Sequence, residues 1–450
     1  MKRFIKLTKK LSSVLSHIFF RTKFIEYNFY AGMTTFYECI SIIFSVVKRE
    51  PLVNGEYISR YEKAFAKYLG LKYAYTFATG RMGLYVILKA LGLKNGDEII
   101  IPGFTCAVVP NAILYAGLKP VYVDIDPITF NIDTSKIEER ITPKTKVLYA
   151  QHTFGLMCEV EKIVELGKKY KIPVIEDCCL ALGAERNGKK AGTFGDVAYF
   201  STDHSKVIST SSGGMVVTNN EEVSERIKSI YLKTPFCEKK TVLKMLFTLI
   251  SEEIFRHPYI YFWGKYVMEL LGRFKLLYFF TDYERIEKPT KYPFPARLSN
   301  LQAKIGLHQL IMLEKIITHH RYVAEEYDRF FNLYNGYLKP NVKEHIFLRY
   351  VFLVKNPNLW KKKLKKYIEI ESWFDNVING RYKNFHEVNY QLGNCHIAEK
   401  ICKHTINLPT HLKVRNPQWI IGMCQNVINI GNGESQLIKV NKDISDAGEK

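Results

Sequence analysis

The central part of the chain, from Glu56 to about Asn220, alternates between two hydrophobic patterns. Short runs rich in β-branched residues predict buried strands, and the amphipathic stretches between them predict helices. The predicted strands are 97–103, 119–126, 144–152, 172–178, 195–201 and 213–219, and the predicted helices are 80–93, 106–117 and 159–170. This alternation predicts a mostly parallel sheet with helices on both faces, in which ligands bind at the carboxyl ends of the strands.

The two flanks of this region have different patterns. Residues 231–290 are rich in aromatic and aliphatic residues with Lys and Arg between them. That composition predicts a helical hairpin over the core or a partner subunit, or an interfacial membrane contact. From Arg297 a long helix is predicted to lead into a small C-terminal domain, where 345–354 is strand-like and 407–411 is loop-like. Polar residues interrupt the apolar stretch 27–47, so it predicts a buried or interfacial helix rather than a membrane span.

Composition adds a strong basic bias. The 450 residues include 65 Lys and Arg against 44 Asp and Glu, a net charge of +21. These basic residues follow no nucleic-acid-binding pattern, so an anionic small substrate or a membrane surface is favoured over nucleic acid. The chain begins with a basic amphipathic stretch that lacks the features of a cleaved signal peptide. Nine cysteines without a CxxC pair or a zinc-like spacing predict reduced thiols in a cytoplasmic protein and no metal site.

Several predicted strand ends carry residues that together suit one cofactor. Gly80 begins a predicted helix, where backbone N–H groups can approach a phosphate. Phe104 follows one strand and offers a ring for stacking, and Asp177 ends another strand with a carboxylate. Ser201 ends a third strand, shortly before Lys206. A phosphate cradle, a stacking ring, a carboxylate for a pyridine nitrogen and an amine are what pyridoxal phosphate requires.

The order of several motifs resembles a known family. They are FATGRMGL (77–84), IPVIEDCCLALGAERNGKKAGTFGDVAYFS (172–201), the lysine at 206, GGMVVT (213–218) and ARLSNLQAKIGLHQL (296–310). Together they resemble the DegT/DnrJ/EryC1/StrS family of sugar-nucleotide aminotransferases. The order and spacing of the set are specific, although each motif alone is not.

The resemblance implies a fold-type I pyridoxal-phosphate-dependent transferase, an α/β protein with a smaller C-terminal α/β domain after the sheet. The chain is then expected to contain a basic amphipathic extension (1–50) and a large pyridoxal-phosphate-binding domain (51–230). An aromatic and basic helical insertion (231–292) would follow, and a linking helix with the small domain (293–450) would end the chain. The resemblance also implies a homodimer with the active site at its interface.

The resemblance further implies the cofactor, pyridoxal 5'-phosphate, and the residues that bind it. These residues are Gly80, Arg81, Phe104, Asp177, Ser201 and Lys206. Lys206 would attach the cofactor covalently and then carry a proton between the substrate carbon and the cofactor. Asp177 would pair with the pyridinium nitrogen, and Phe104 would stack on the ring. The backbone N–H groups of Gly80 and Arg81 would hold the phosphate, together with the Ser201 hydroxyl.

The chain departs from the family pattern at three positions. Leu180 stands where the family usually has Gln or His near the phenolic oxygen of the cofactor. Ser212 replaces a Glu before the paired glycines. Pro295 replaces an Asn that reaches the phosphate of a neighbouring subunit, although Arg297 is kept. The polar contact near the phenolic oxygen is therefore expected to be lost at Leu180, and the three changes together bear on the identity of the substrate and on activity.

The leading hypothesis is a transaminase that moves an amino group, from glutamate, onto a keto sugar attached to a nucleotide. Its products would feed surface polysaccharide or related amino-sugar biosynthesis. The enzyme would be cytoplasmic. A second option for its location is peripheral contact with the inner face of the membrane. One alternative is a sugar dehydratase with the same cofactor; Lys206 opposes it, because such relatives typically carry histidine there, and His204 lies two residues away. The other alternative is a non-catalytic, membrane-associated relative that keeps the fold.

Overall fold

The computed structural model describes residues 26–28, 34–280, 283–290, 293–332, 344–370, 373–430 and 437–438. Its strands are β1 (Tyr73–Phe77), β2 (Glu98–Pro102), β3 (Thr105–Cys106), β4 (Lys119–Val123), β5 (Thr145–Gln151), β6 (Val174–Asp177), β7 (Glu185–Arg186), β8 (Lys189–Lys190), β9 (Val197–Ser201), β10 (Gly214–Thr218), β11 (Tyr350–Leu353), β12 (Ile378–Asn379) and β13 (Thr405–Leu408).

Helices surround and follow the strands. They are α1 (Phe36–Val47), α2 (Glu56–Leu69), α3 (Gly80–Ala90), α4 (Val108–Tyr115), α5 (Val160–Tyr170), α6 (Glu221–Lys233), α7 (Lys239–Phe255), α8 (Tyr261–Arg273), α9 (Asn300–Phe331), α10 (Pro357–Leu364), α11 (His396–Ile401) and α12 (Pro417–Ile430). Short 3-10 turns lie at Thr134–Lys136, Glu138–Arg140, Thr153–Gly155 and Phe385–Val388. The predicted basic stretch at the start of the chain falls largely on residues 1–25, outside the described residues.

A seven-stranded sheet forms the centre, in the order β1–β10–β9–β6–β5–β2–β4. The strands from β9 to β4 run parallel, while β10 is antiparallel to both β9 and β1. The predicted mostly parallel α/β fold is therefore confirmed. Each predicted strand and helix of this region is present within three residues of its expected bounds. The structure adds β1, an edge strand that the sequence patterns did not predict.

The parallel strands place the predicted chemistry at one edge of the sheet. β6 ends at Asp177 and β9 ends at Ser201, and the two strands are neighbours in parallel register. Both strands are almost completely buried, because helices cover a sheet whose side chains are apolar on both faces. The carboxyl edge of the sheet is therefore where a ligand site is expected.

The small C-terminal domain has its own hydrophobic core. The second half of α9 packs there with β11, β13, α10 and α12. The predicted strand 345–354 is shorter than expected, because Phe347 has a φ of 51° and the antiparallel pairing starts only at Tyr350. The predicted loop 407–411 begins inside β13, and Pro409 then ends the strand because proline has no N–H for the ladder.

The insertion folds into the two consecutive helices α7 and α8, which contact each other. α7 also packs on α1 and on the start of α9, around Ile42, Val242, Met245 and Leu301. The opposite face of α1 is exposed and apolar, with Phe36, Ile40, Ile43, Phe44 and Val47. Within the described ranges, none of the helices combines the length and the hydropathy that a membrane-spanning segment needs.

Candidate active site

The first turn of α3 lies directly against the end of β9. A Cβ atom placed on Gly80 would lie 2.9 Å from the Ser201 Cβ and 3.3 Å from the Cys179 Sγ, so only glycine fits there without displacing a neighbour. Thr79 caps the helix, since its side-chain oxygen accepts the N–H of Met82 at 3.1 Å. A helix N-terminus attracts anions. The structure thus brings together Gly80 and Ser201, two of the three residues predicted at the phosphate.

Asp177 reaches the same edge with both carboxylate oxygens bonded. The Tyr149 hydroxyl donates to Oδ2 at 2.6 Å, and the N–H of Cys179 donates to Oδ1 at 2.9 Å. Tyr149 also shares a hydrogen bond with the Tyr199 hydroxyl. Burial, and then the Asp177 charge, raise the pKa of Tyr149 well above its ordinary value, so Tyr149 remains a donor. The carboxylate is therefore held in one orientation on the buried strand.

Lys206 lies in the turn after β9 and is half-buried. Its backbone N–H donates to the Asp203 carbonyl at 3.0 Å. Burial raises the pKa of the Cys106 and Cys179 thiols; the Lys206 ammonium lowers both values, and the Asp177 carboxylate raises both. Lys206 and Asp177 therefore both act electrostatically on the same two thiols.

Phe104 has a different environment from the one predicted. Its ring has no exposed surface and packs against the rings of Phe130, Phe154 and Phe374. A ring buried on all sides offers no face to a cofactor, so this geometry gives the predicted stacking role no support. Cys106, two residues later, is the residue of this segment that interacts electrostatically with Lys206.

The side chain of Arg81, in the first turn of α3, packs against an aromatic ring. Its guanidinium lies over the Phe280 ring, 5.2 Å from the ring centre. Burial lowers the pKa of the guanidinium, while Cys106 and Tyr283 act in the opposite direction. Phe280 and Tyr283 belong to the segment between α8 and α9, so that segment reaches the cluster of predicted residues.

Directly behind the site, His152, Glu176 and Cys178 present three potential metal-ligand atoms within 4.8 Å of one another. Their hydrogen bonds indicate a structural role. The Glu176 carboxylate is 3.2 Å from the His152 Nε2, and the His152 Nδ1 accepts the N–H of Cys158. Glu176 also accepts the N–H groups of Gly192, Phe194 and Gly195. The cluster fastens the 192–195 loop to β6, beside Asp177.

The three departures from the family pattern fill structural positions. Leu180 is buried in the main core. The Ser212 hydroxyl donates to the Ala78 carbonyl at 2.7 Å, which ties the segment before β10 to the segment before α3. Pro295 is exposed. The Arg297 guanidinium lies 3.9 Å from the centre of the Phe236 ring. Arg297 therefore makes contacts within its own chain.

A family profile covers most of this architecture. The profile of the DegT/DnrJ/EryC1/StrS aminotransferase family matches residues 38–246 and 277–421. The chain belongs to this family. An uncharacterized protein of Methanocaldococcus jannaschii is 34% identical over 309 residues, which are 69% of this chain and 71% of that protein. The family and the enzyme class predicted from the sequence are confirmed.

Relatives with named activities match shorter segments. GDP-perosamine synthase of Escherichia coli O157:H7 is 44% identical over 173 residues, 38% of this chain and 48% of that enzyme. The chain thus matches about half the length of this relative. The structure of E. coli GDP-4-keto-6-deoxy-D-mannose-3-dehydratase with bound hydrated pyridoxal phosphate has a TM-score of 0.68 at 24% identity, covering 90% of this chain and 99% of that chain. That similarity confirms the fold, and the bound group is the cofactor predicted from the sequence.

The residues at the carboxyl edge fit that cofactor. Because Gly80 has no Cβ, the first turn of α3 meets Ser201 directly, and the helix N-terminus and the Ser201 hydroxyl form one cradle for an anion. Asp177 offers an oriented carboxylate, and Lys206 offers an amine that acts electrostatically on the same thiols as that carboxylate. Sequence reasoning missed Tyr149 and Cys106. Tyr149 carried a recoverable signal, because it lies on β5, the neighbour of β6, and its hydroxyl reaches Asp177.

Proposed function

We propose that the protein is a pyridoxal-phosphate-dependent aminotransferase that transfers an amino group from glutamate to a keto sugar linked to a nucleotide. The observation that carries this proposal is the convergence of Lys206, Asp177 and the Gly80–Ser201 cradle at one edge of the sheet. The similarity to GDP-perosamine synthase supports a nucleotide-linked sugar as the class of substrate.

When bound, pyridoxal phosphate supplies an electron sink that stabilises negative charge at the substrate carbon. Lys206 would hold the cofactor through Nζ and afterwards move the proton at that carbon as a general base and acid. Asp177 would keep the pyridine nitrogen protonated, and the Tyr149 hydroxyl holds the carboxylate in place. The first turn of α3 and the Ser201 hydroxyl would hold the phosphate.

The two alternatives differ in what they require of Lys206. A sugar dehydratase is represented among the structures that share this fold, but the 24% identity supports the fold alone. The retained Lys206 favours transamination, because the family's dehydratases typically carry histidine there. A non-catalytic relative would have no reason to keep Asp177 buried with two donors on its carboxylate.

Assembly and location complete the proposal. We propose a cytoplasmic homodimer that contributes to amino-sugar biosynthesis for surface polysaccharide. The exposed apolar face of α1 is a surface that either a second subunit or a membrane would cover. Sedimentation of the purified protein tests the dimer, and fractionation of cells tests contact with the membrane.

Absorbance spectroscopy tests the proposed chemistry. The purified protein should show the visible band of the bound cofactor. Borohydride should fix the cofactor permanently to a peptide containing Lys206. Glutamate should bleach the band, and a keto-sugar nucleotide should restore it. In Lys206→Arg the positive charge remains, but we expect no covalent attachment and no response to glutamate. A colourless wild-type protein that binds no pyridoxal phosphate would contradict the proposal.

A further inference from the structure

An aromatic stretch between α8 and α9 lies beside the candidate active site. We call it the aromatic wall: Tyr278, Phe279, Phe280 and Tyr283. The Phe279 ring meets the His204 ring edge to face at a centroid distance of 5.8 Å. The Phe280 ring covers the Arg81 guanidinium. The wall therefore contacts both the turn that carries Lys206 and the first turn of α3.

Tyr283 is fixed in this wall from two sides. Its carbonyl accepts the Asn111 Nδ2 at 3.2 Å and the Arg381 Nη2 at 3.4 Å, so it is bound both to α4 and to the C-terminal part of the chain. A Cβ on Gly380 would lie 2.7 Å from the Tyr283 ring, which shows that the ring rests directly on the Gly380 backbone. The Tyr115 hydroxyl holds the next turn by donating to the Arg285 carbonyl at 2.9 Å.

The wall keeps aromatic surface exposed although it is anchored. Phe279 is 44% exposed and Tyr283 is 37% exposed. Both rings lie near cationic or titratable groups: Phe279 is also 5.7 Å from the Arg256 guanidinium, and Tyr283 interacts electrostatically with Arg81. Asp203 adds one acidic group, which pairs with His204 at 3.1 Å. Exposed rings beside arginines suit a ligand that carries both a planar base and an anionic diphosphate.

We propose that the aromatic wall is the nucleotide-binding side of the substrate site, with Phe279 and Tyr283 contacting the nucleoside and Arg81 facing the diphosphate. The inference rests on the proposed function, because it assigns the nucleotide part of that substrate to residues between α8 and α9. It makes this segment an element of substrate selection contributed by the same chain as Lys206.

Calorimetry with nucleoside diphosphates tests this assignment on the cofactor-loaded enzyme. The probes are GDP, UDP and dTDP, and the variants are Phe279→Ala, Tyr283→Ala and Tyr283→Phe. We expect the wild type to bind at least one probe and each alanine variant to weaken that binding about tenfold, the loss typical of one stacking contact. Tyr283→Phe keeps the ring and should retain most of the affinity. Phe274→Ala is the matched control, since Phe274 is 68% exposed at the end of α8, outside the wall.

Two results would overturn the inference: equal affinity in the alanine variants and the wild type, or no binding of any probe by the wild type. Phe279→Leu replaces Phe279→Ala if that variant fails to fold, and it should lose the same stacking contact. The visible band and its bleaching by glutamate are measured in the same samples. They test the proposed function independently. A normal response to glutamate, with nucleotide affinity unchanged in the alanine variants, would reject the nucleotide-binding role of the aromatic wall and leave the proposed function standing.

Discussion

Asp177 shows how single residues prepare the site. A buried carboxylate is costly unless hydrogen bonds compensate for lost hydration. Here the Tyr149 hydroxyl and the Cys179 N–H provide two such bonds, and they leave the carboxylate facing the strand edge where Ser201 and Lys206 lie. The orientation is therefore built before any cofactor arrives.

Asp177→Asn should remove the negative charge while keeping the size of the side chain. Without the carboxylate, the pyridine nitrogen would no longer be held protonated, so we expect the rate of bleaching by glutamate to fall at least about a hundredfold. Stopped-flow absorbance of the cofactor-loaded variant measures this rate. Tyr149→Phe, which keeps the charge and loses one hydrogen bond, should cost about tenfold. A wild-type rate in Asp177→Asn would contradict the assigned role.

At the scale of elements, the site depends on how closely α3 approaches β10. A Cβ on Gly214, the first residue of β10, would lie 2.3 Å from the Thr79 carbonyl oxygen and 2.7 Å from the Gly80 nitrogen. These are backbone atoms, so they can move only if the start of the helix moves. The strand pairing and the phosphate cradle are thus coupled through one glycine.

Gly214→Ala should therefore displace the first turn of α3. We expect weaker binding of pyridoxal phosphate and a loss of about 1–3 kcal/mol in the free energy of unfolding, as for other overpacked positions. Equilibrium dialysis of the cofactor and urea unfolding measure the two effects. Gly422→Ala is the control: it lies inside α12 with no atom near the added Cβ, and it should stabilise by about 0.5–1 kcal/mol. Unchanged cofactor affinity in Gly214→Ala would show that the contact does not support the cradle.

At the scale of the whole molecule, local patterns along the chain predicted the strands of the sheet but not the side-chain contacts between distant segments. The positions of Asp177 and Ser201 at strand ends, and of Lys206 in the following turn, could be predicted because strand ends and turns are local in sequence. The packing of Phe104 could not be predicted, because its partners, Phe130, Phe154 and Phe374, come from segments far apart in the chain. The aromatic wall could not be predicted for the same reason. Its position depends on the long-range bonds of Tyr283 with Asn111 and Arg381.

Neutral histidines buried between segments make the molecule as a whole sensitive to acid. Burial lowers the pKa of His345 and of His411 to about 3. The His345 Nδ1 accepts the Phe347 N–H at 3.0 Å, and the His411 Nε2 donates to the Asn28 carbonyl at 2.8 Å. Each ring is neutral in the folded protein, whereas its unfolded counterpart takes up a proton below about pH 6.5. Stability should therefore fall as the pH drops from 6.5 towards 3.

His411→Gln and His345→Asn test this acid sensitivity, because each amide keeps the hydrogen bond of the ring nitrogen that it replaces but does not titrate. At pH 5 each buried histidine should cost about 2 kcal/mol relative to pH 7. Each variant should therefore lose that much less unfolding free energy between pH 7 and pH 5, measured by urea unfolding. The exposed His386 provides the control, since His386→Gln should follow the wild type. If the pH dependence of His411→Gln and His345→Asn equals that of the wild type, these histidines do not cause the acid sensitivity.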